Sequence, residues 1–305
     1  MIKPETLHNL LVVLGPTASG KTHLAVALAK EYKGEIISAD SRQVFRGMDI
    51  GSGKDLHEYG SIPYHLIDIL DAGEEFSVFE FQRRFLKAFA DITARGNTPI
   101  LCGGSGMYLD SALRGYQMTE VSRNESLRNE LATKSDIELG NELRRLRPLQ
   151  HNSTDLLERE RTIRAIEIAL AQKAGNSVCE RPPALRTNVI GINWERSLLR
   201  QRITNRLRER LESGMVEEVQ RLHEAGIPWE RLNYYGLEYR YVGTYLQRGI
   251  NKNDLFQKLN SAIHNFAKRQ MNWFRRMEQH GIVIRWIDGE GDQLAQACAF
   301  IQKNK

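Results

Sequence analysis

The stretch from Leu10 to Lys30, LLVVLGPTASGKTHLAVALAK, limits what this chain can fold into more than any other. Within it, Gly15-Pro16-Thr17-Ala18-Ser19-Gly20-Lys21-Thr22 matches G-x-x-x-x-G-K-[ST] in full, after an apolar run and before a helix-like run. A strand, a glycine loop and a helix in that order make a phosphate cradle. The glycines let successive backbone N–H groups face phosphate oxygens and the helix N-terminus adds positive potential. Lys21 supplies a point charge, and the Thr22 hydroxyl can hold Mg²⁺. Gly15 to Thr22 are therefore the candidate phosphate-binding residues, with Thr22 the candidate metal ligand.

Such a loop belongs at the carboxyl end of a strand in a doubly wound, mostly parallel α/β sheet, and the flanking sequence agrees. NLLVVLG and GEIISAD read as β-branched-rich strands with a helix from Thr22 to about Tyr32 between them. SVFEFQRRFLKAFADITARG reads as a helix: Ser77 and Glu80 make an S-x-x-E capping box, Phe85, Leu86 and Phe89 recur at helical spacing, and Gly96 stops it. TPILCGG is the next buried strand, NVIGINW a later one, and IVIRWID interrupts an otherwise helical C-terminal third. The spacing predicts a P-loop core over residues 1–114, a polar helical insertion over 115–152 carrying Arg144, Arg145 and Arg147, and the rest of the core with a helical C-terminal region over 153–305. A long helix is expected to run to Gly175, and another amphipathic helix to end at Gly226.

The apolar run at Leu10 stops at Gly15-Pro16, short of the roughly 18 residues a membrane span needs, and lacks a signal-peptide cleavage pattern. A soluble, cytoplasmic protein is expected. Cys102, Cys179 and Cys298 are odd in number and widely spaced, which points away from a disulfide framework or zinc site. Net charge is only +5, but the cations are bunched. Arg196, Arg200, Arg202, Arg206, Arg208 and Arg210 fall in one stretch; Lys268, Arg269, Arg275 and Arg276 fall in another beside Trp273 and Phe274. Basic helices flanked by aromatics, in a chain that also holds phosphate, point to a nucleic-acid partner.

A P-loop motor would offer a strand ending in an acid that holds Mg²⁺ and directs hydrolysis. PILCGG has none. The strand IISAD ends in Asp40, which is placed to bind Mg²⁺, to act as a base, or to cap the helix that follows. The loop alone leaves open a small-molecule kinase of the nucleoside or shikimate type, and the basic helices alone would suit a non-catalytic RNA-binding module.

The segments GPTASGKT, IISADSRQVFRGMDIGSGK, YHLIDIL, FSVFEFQRR, PILCGGSGMYLDSAL, RTIRAIEI, GMVEEVQRL and AKRQMNWFR, in this order, resemble the consecutive motifs of the tRNA dimethylallyltransferase (tRNA isopentenyltransferase) family along nearly the whole chain. The resemblance implies Mg²⁺-dependent transfer of a five-carbon prenyl group from dimethylallyl pyrophosphate to N6 of adenosine 37, in the anticodon stem-loop of tRNA. No membrane and no obligate protein partner is implied. The loop would then hold a pyrophosphate leaving group, with Lys21, Thr22 and an arginine, Arg161 or Arg164, stabilising its charge. Asp40 would be the base for the adenine amine. The resemblance also implies tRNA contacts from Asp40, Ser41, Arg42, Gln43, Gly104, Ser105, Arg161, Thr162, Ile163, Arg164, Lys268, Arg269 and Gln270. The chain departs from the family pattern at Gly236-Leu237-Glu238-Tyr239 (usually G-Y-[KR]-E), Ile263-His264 (usually Thr-Arg), Ser41-Arg42-Gln43 (usually [ST]-M-Q) and in HNSTDLLERE, where H-P-N-D is lost.

Overall fold

The computed structural model describes residues 9–116, 121, 123–148, 159–174 and 185–303. In chain order, β1 (Leu10–Leu14), α1 (Lys21–Glu31) and β2 (Gly34–Ala39) lead to the short β3 (Tyr64–His65), α2 (Val78–Ala94), β4 (Thr98–Gly103) and α3 (Gly106–Arg114). Three helices follow, α4 (Glu125–Ala132), α5 (Asp136–Leu146) and α6 (Arg159–Lys173). The chain returns through β5 (Thr187–Asn193), α7 (Arg196–Glu212), α8 (Met215–Glu224), α9 (Trp229–Tyr234), α10 (Leu237–Leu246) and α11 (Lys252–Gln279), and ends with β6 (Ile284–Asp288) and α12 (Gln293–Lys303). Gly175, where the long helix was expected to end, lies outside the described residues.

All strand pairs are parallel, in the order β3-β2-β4-β1-β5-β6. β1 sits inside the sheet, with Leu11 opposite Ile100 of β4 on one side and Asn188 of β5 on the other. Both faces are covered. Leu10, Val12 and Leu14 point into one core with Phe85 of α2 and Leu207 of α7, while Leu11 and Val13 point into the other with Leu24 and Leu28 of α1 and Ile301 of α12. Burial on both sides is why these strands read as continuous apolar runs rather than alternating ones. The chain leaves β1 toward β2 on one side and, after β4, passes to β5 on the other side of β1, so the strand order switches there and a crevice opens at the carboxyl ends beside it. The turn after β4 comes close there: a Cβ on Gly103 would stand 2.2 Å from the Ala39 carbonyl oxygen, which only glycine permits.

The capping box expected at α2 forms only by half. Ser77 accepts from the Glu80 amide at 3.1 Å, but the Glu80 carboxylate turns to Arg83 and Arg84, at 2.8 and 2.6 Å. A complete box instead opens α5, with Ser135 and Glu138 bonded reciprocally.

The chain divides into two units, residues 1–115 with 183–305, and residues 116–182. The second extends past residue 152 to take in α6, because Ile163 and Ile166 of that helix complete the core begun by Leu131, Leu139 and Leu143. Glu167 of α6, 2% exposed, is the polar centre of this unit. It accepts from Arg128 at 2.9 and 2.8 Å, from the Asn124 amide at 3.0 Å and from Arg164 at 3.1 Å. Burial alone would raise its pKa, but those donors hold it at about 2.

Candidate active site

The loop between β1 and α1 is shaped by backbone geometry first. Gly20 has φ +86° and supplies no side-chain cap to α1, and the first turn holds no acid, so the opening amides of the helix are left for an anion. Ala18 also sits in the left-handed region, φ +61°, a costly conformation for a residue with a Cβ. Its carbonyl oxygen is fixed there by Arg202, whose Nε donates at 2.8 Å. The Arg202 guanidinium in turn lies 4.2 Å from the centre of the Trp194 ring, and the Trp194 indole N–H donates to the Ser19 carbonyl at 2.9 Å.

The loop opens on a cavity of about 790 Å³ whose walls come from Ala18 to Thr22, the segment Asp49 to Glu58 and one face of α7. Arg202, Arg206 and Arg210 stand four residues apart on that helix, and all three line the cavity. Arg206 pairs with Asp55, and Arg210 lies 3.8 Å from Glu238. Burial, and then the neighbouring Arg206, pull the affinity of Arg202 and Arg210 for their protons down, with Glu238 and Asp55 acting in the opposite sense on Arg210. Lys21 is likewise pushed below its usual range by burial and by Arg206 and Arg210; Cys102 and Asp40 act in the opposite sense. Its ammonium donates to the Pro16 carbonyl at 3.4 Å. Two buried polar atoms of cavity-lining residues, Ser19 Oγ and Arg210 Nε, have no hydrogen-bond partner. Ser19 Oγ packs against Gly15 rather than facing the cavity; the groups offered to an anion are the opening amides of α1, Lys21 and the arginines of α7.

The remaining wall is densely hydrogen-bonded. Glu218 of α8, 2% exposed, accepts from the amides of Asp49, Ile50 and Gly51 at 2.8, 2.7 and 3.0 Å and from the Tyr239 hydroxyl at 2.9 Å. Lys54, 1% exposed, donates to the Phe45 carbonyl and Asp49, each at 2.6 Å, and to Asp68. Tyr239 is one of the departures from the family pattern, and its hydroxyl is what completes the Glu218 shell.

The residues singled out from sequence separate into distinct places. Asp40 follows β2, its Oδ1 accepting from the Arg42 amide at 2.9 Å, and lies close enough to Lys21 to favour the charged ammonium. Ser41 and Ser105 are joined, amide to hydroxyl, at 3.1 Å, which ties Asp40's loop to the turn after β4. Gln43 is buried, accepting from Ser38 at 2.9 Å and donating to the Gly53 carbonyl at 3.1 Å. Gln270 is buried too: its Oε1 accepts from the Thr17 amide at 2.8 Å and its Nε2 donates to the Gly104 carbonyl at 2.9 Å. It is a strut between the two glycine turns, one amide N–H and one lone pair of its oxygen being engaged there. Lys268 and Arg269 beside it are exposed. Lys268 lines a groove of about 450 Å³ with Arg196, Arg200 and Arg275 and no carboxylate. Arg161 to Arg164 belong to α6 in the second unit, where Thr162 and Ile163 are buried and Arg164 is held by Glu167 and the Val121 carbonyl. Sequence reasoning assigned the α7 arginines to RNA docking alone. Their four-residue spacing was the available signal that one face serves a single site.

A parallel sheet with G-x-x-x-x-G-K-[ST] after β1, and a cation-lined cavity over the loop, defines a P-loop group-transfer protein. Residues 43–277 match the family described as IPP transferase and residues 8–61 that described as isopentenyl transferase. The chain is 64% identical to tRNA dimethylallyltransferase 2 of Trichlorobacter lovleyi across 98% of each chain. It superposes on the crystal structure of the full-length tRNA isopentenylpyrophosphate transferase of Bacillus halodurans with TM-score 0.71 at 30% identity, covering 97% of this chain and 98% of that one. A eukaryotic dimethylallyltransferase acting on tRNA shares the fold, with TM-score 0.79 at 22% identity over 95% of this chain and 77% of the other. The chain belongs to the tRNA dimethylallyltransferase family and is a prenyltransferase; the kinase alternative is not favoured. Among the described residues no helix is long and apolar enough to cross a membrane.

Proposed function

We propose that this chain transfers a dimethylallyl group from dimethylallyl pyrophosphate to N6 of adenosine 37 in tRNA, releasing pyrophosphate, in the cytoplasm where that tRNA is found. The observation that carries the reading is the P-loop cavity itself, where Arg202, Arg206 and Arg210 on one face of α7 line the same space as Lys21 and the open amides of α1. An allylic pyrophosphate ionises once charge on its leaving group is stabilised, and donors fixed in advance do so with little reorganisation. We assign that work to Lys21, Arg202, Arg206 and Arg210, since these line the cavity.

The oxygen donors suit Mg²⁺, which is typically held by one or two protein groups plus substrate phosphates. Among the described residues no three His, Cys, Asp or Glu side chains converge on one point, as a metal caged by protein alone would require. Thr22 Oγ1 would hold the ion, which would supply Lewis-acid stabilisation of the departing pyrophosphate. Asp40, near Lys21 but on a different strand end, takes the proton that the exocyclic amine must lose as its bond to carbon forms. The adenine must leave the anticodon-loop stack to reach it. The acid-free groove with Lys268, Arg196, Arg200 and Arg275 supplies phosphate contacts that orient the RNA.

The test is incubation with labelled dimethylallyl pyrophosphate or labelled ATP, with and without bulk tRNA. Label from the prenyl donor should appear in tRNA as N6-dimethylallyladenosine. Transfer of phosphate from ATP to a small acceptor, with no prenyl transfer, would overturn the reading.

A further inference from the structure

Beside Asp40 the fold presents one open aromatic ring to two guanidinium groups. Tyr234 ends α9 and is 60% exposed, the most exposed aromatic side chain among the described residues. A single exposed tyrosine is ordinary on a protein surface; its neighbours are not. The Arg42 Cζ lies 5.8 Å from the centre of the ring and the Arg231 Cζ 5.4 Å. Arg231 is itself anchored, donating to the Tyr235 hydroxyl at 3.3 Å and pairing with Glu75 at 3.4 Å. Tyr235 is fully buried against Phe45, 4.7 Å between ring centres, and meets Tyr234 edge-on at 6.2 Å. Arg42 reaches the same place from β2's side, and its backbone amide is the one bonded to Asp40. Asp40, Arg42 and Tyr234 are all within electrostatic reach of one buried group, the Tyr108 hydroxyl, so the four belong to one neighbourhood.

We propose that Tyr234, with the Arg42 guanidinium beside it, is a stacking platform for the nucleobase next to the adenosine being modified. This rests on the tRNA reading above. Turning a base out of the loop breaks its stacking with both neighbours, and that loss must be offset for the extruded state to persist. An aromatic ring and an arginine plane are the two protein groups that replace base stacking without demanding a particular base. The ring is held at one edge by buried Tyr235 and at the same end of the site as the candidate base, so a neighbouring nucleotide stacked on it would fix the target adenine relative to Asp40. Tyr234 is thus a positioning residue: it acts on the RNA beside the reacting base and takes no part in bond making.

The experiment uses the full chain, an anticodon stem-loop RNA and dimethylallyl pyrophosphate, saturating when the RNA is varied and varied in turn at saturating RNA. Prenyl transfer by the unaltered chain tests the functional reading itself, and failure there overturns both. Given transfer, Tyr234→Ala should lower kcat/KM for the RNA by roughly 5- to 100-fold, the range set by one lost base–aromatic stack. Tyr234→Phe, which keeps the ring, should stay within about twofold of the unaltered chain, and the KM for dimethylallyl pyrophosphate should not move in either variant. The decisive arm replaces the nucleotide 5′ or 3′ of the target with an abasic residue. On one of these two RNAs the difference between the unaltered chain and Tyr234→Ala should vanish, because the stack is already gone. Equal activity of Tyr234→Ala on the intact RNA, or a penalty that persists on both abasic RNAs, overturns the proposal.

Discussion

Asp40 Oδ1 is engaged by the Arg42 amide at 2.9 Å, and an asparagine placed there could keep that bond through its carbonyl oxygen. Asp40→Asn should therefore hold the loop in place while removing the ability to take a proton. Single-turnover prenyl transfer should fall by roughly 10² to 10⁴, with tRNA binding retained. Measured at two Mg²⁺ concentrations, full rescue by the higher one would assign Asp40 to the metal instead. A purely capping role would leave turnover near normal, since asparagine caps about as well as aspartate. Asp40 was legible in the sequence because an acid closes a β-branched strand. The strut made by Gln270 was not, since nothing local marks a glutamine that bonds Thr17 and Gly104, 253 and 166 residues away.

At the scale of elements, strands were legible and partnerships were not. β1, β2 and β4 fall where apolar runs end in glycine or an acid, because burial on both faces leaves an unmistakable composition, and β5 and β6 fall on the shorter apolar runs NVIGIN and IRWID. The two-residue β3 carries no such pattern and is a strand only through its pairing with Ile36 and Ile37 of β2. The α2 cap went half right because Arg83 and Arg84, one turn on, outcompete the Ser77 amide for Glu80. The strut from α11 to the two glycine turns has a measurable consequence. Gln270→Leu leaves the Thr17 amide and Gly104 carbonyl without partners, at about 1–3 kcal/mol each where no water replaces them. Its melting temperature should drop, and its KM for dimethylallyl pyrophosphate should rise more than its affinity for tRNA falls. A variant with an unchanged KM would mean that the P-loop does not depend on α11.

Over the whole molecule, two separate carboxylates set acid tolerance. Glu35, with 4% of its side chain exposed, is held at about 2 chiefly by its bond to Arg95, with Asn97 and His65 assisting against burial. Glu167 is held at about 2 in the second unit. Both pKa values are depressed on folding, so their stabilisation is complete above about pH 4.5 and is lost as pH falls toward 2, by about 3 kcal/mol for each group. Denaturant titrations at pH 6, 4 and 3 should follow that decline; a flat profile would place these carboxylates in water. The acid-free groove along α7 and α11 implies salt-sensitive tRNA binding, with Lys268→Ala, and Arg269→Ala on the neighbouring surface, lowering the slope of log affinity against log salt by about one each. A salt-independent affinity would remove that face from the docking surface. The lysines themselves differ in a way that a chemical map of the chain can read. A lowered pKa gives Lys21 a larger share of neutral amine at physiological pH than an ordinary surface lysine has, while Lys54, enclosed by two carboxylates and a carbonyl, is closed to reagent. A phosphate-bearing aldehyde should therefore label Lys21 ahead of the other lysines, inorganic pyrophosphate should shield it, and Lys54 should stay unmodified until the chain unfolds.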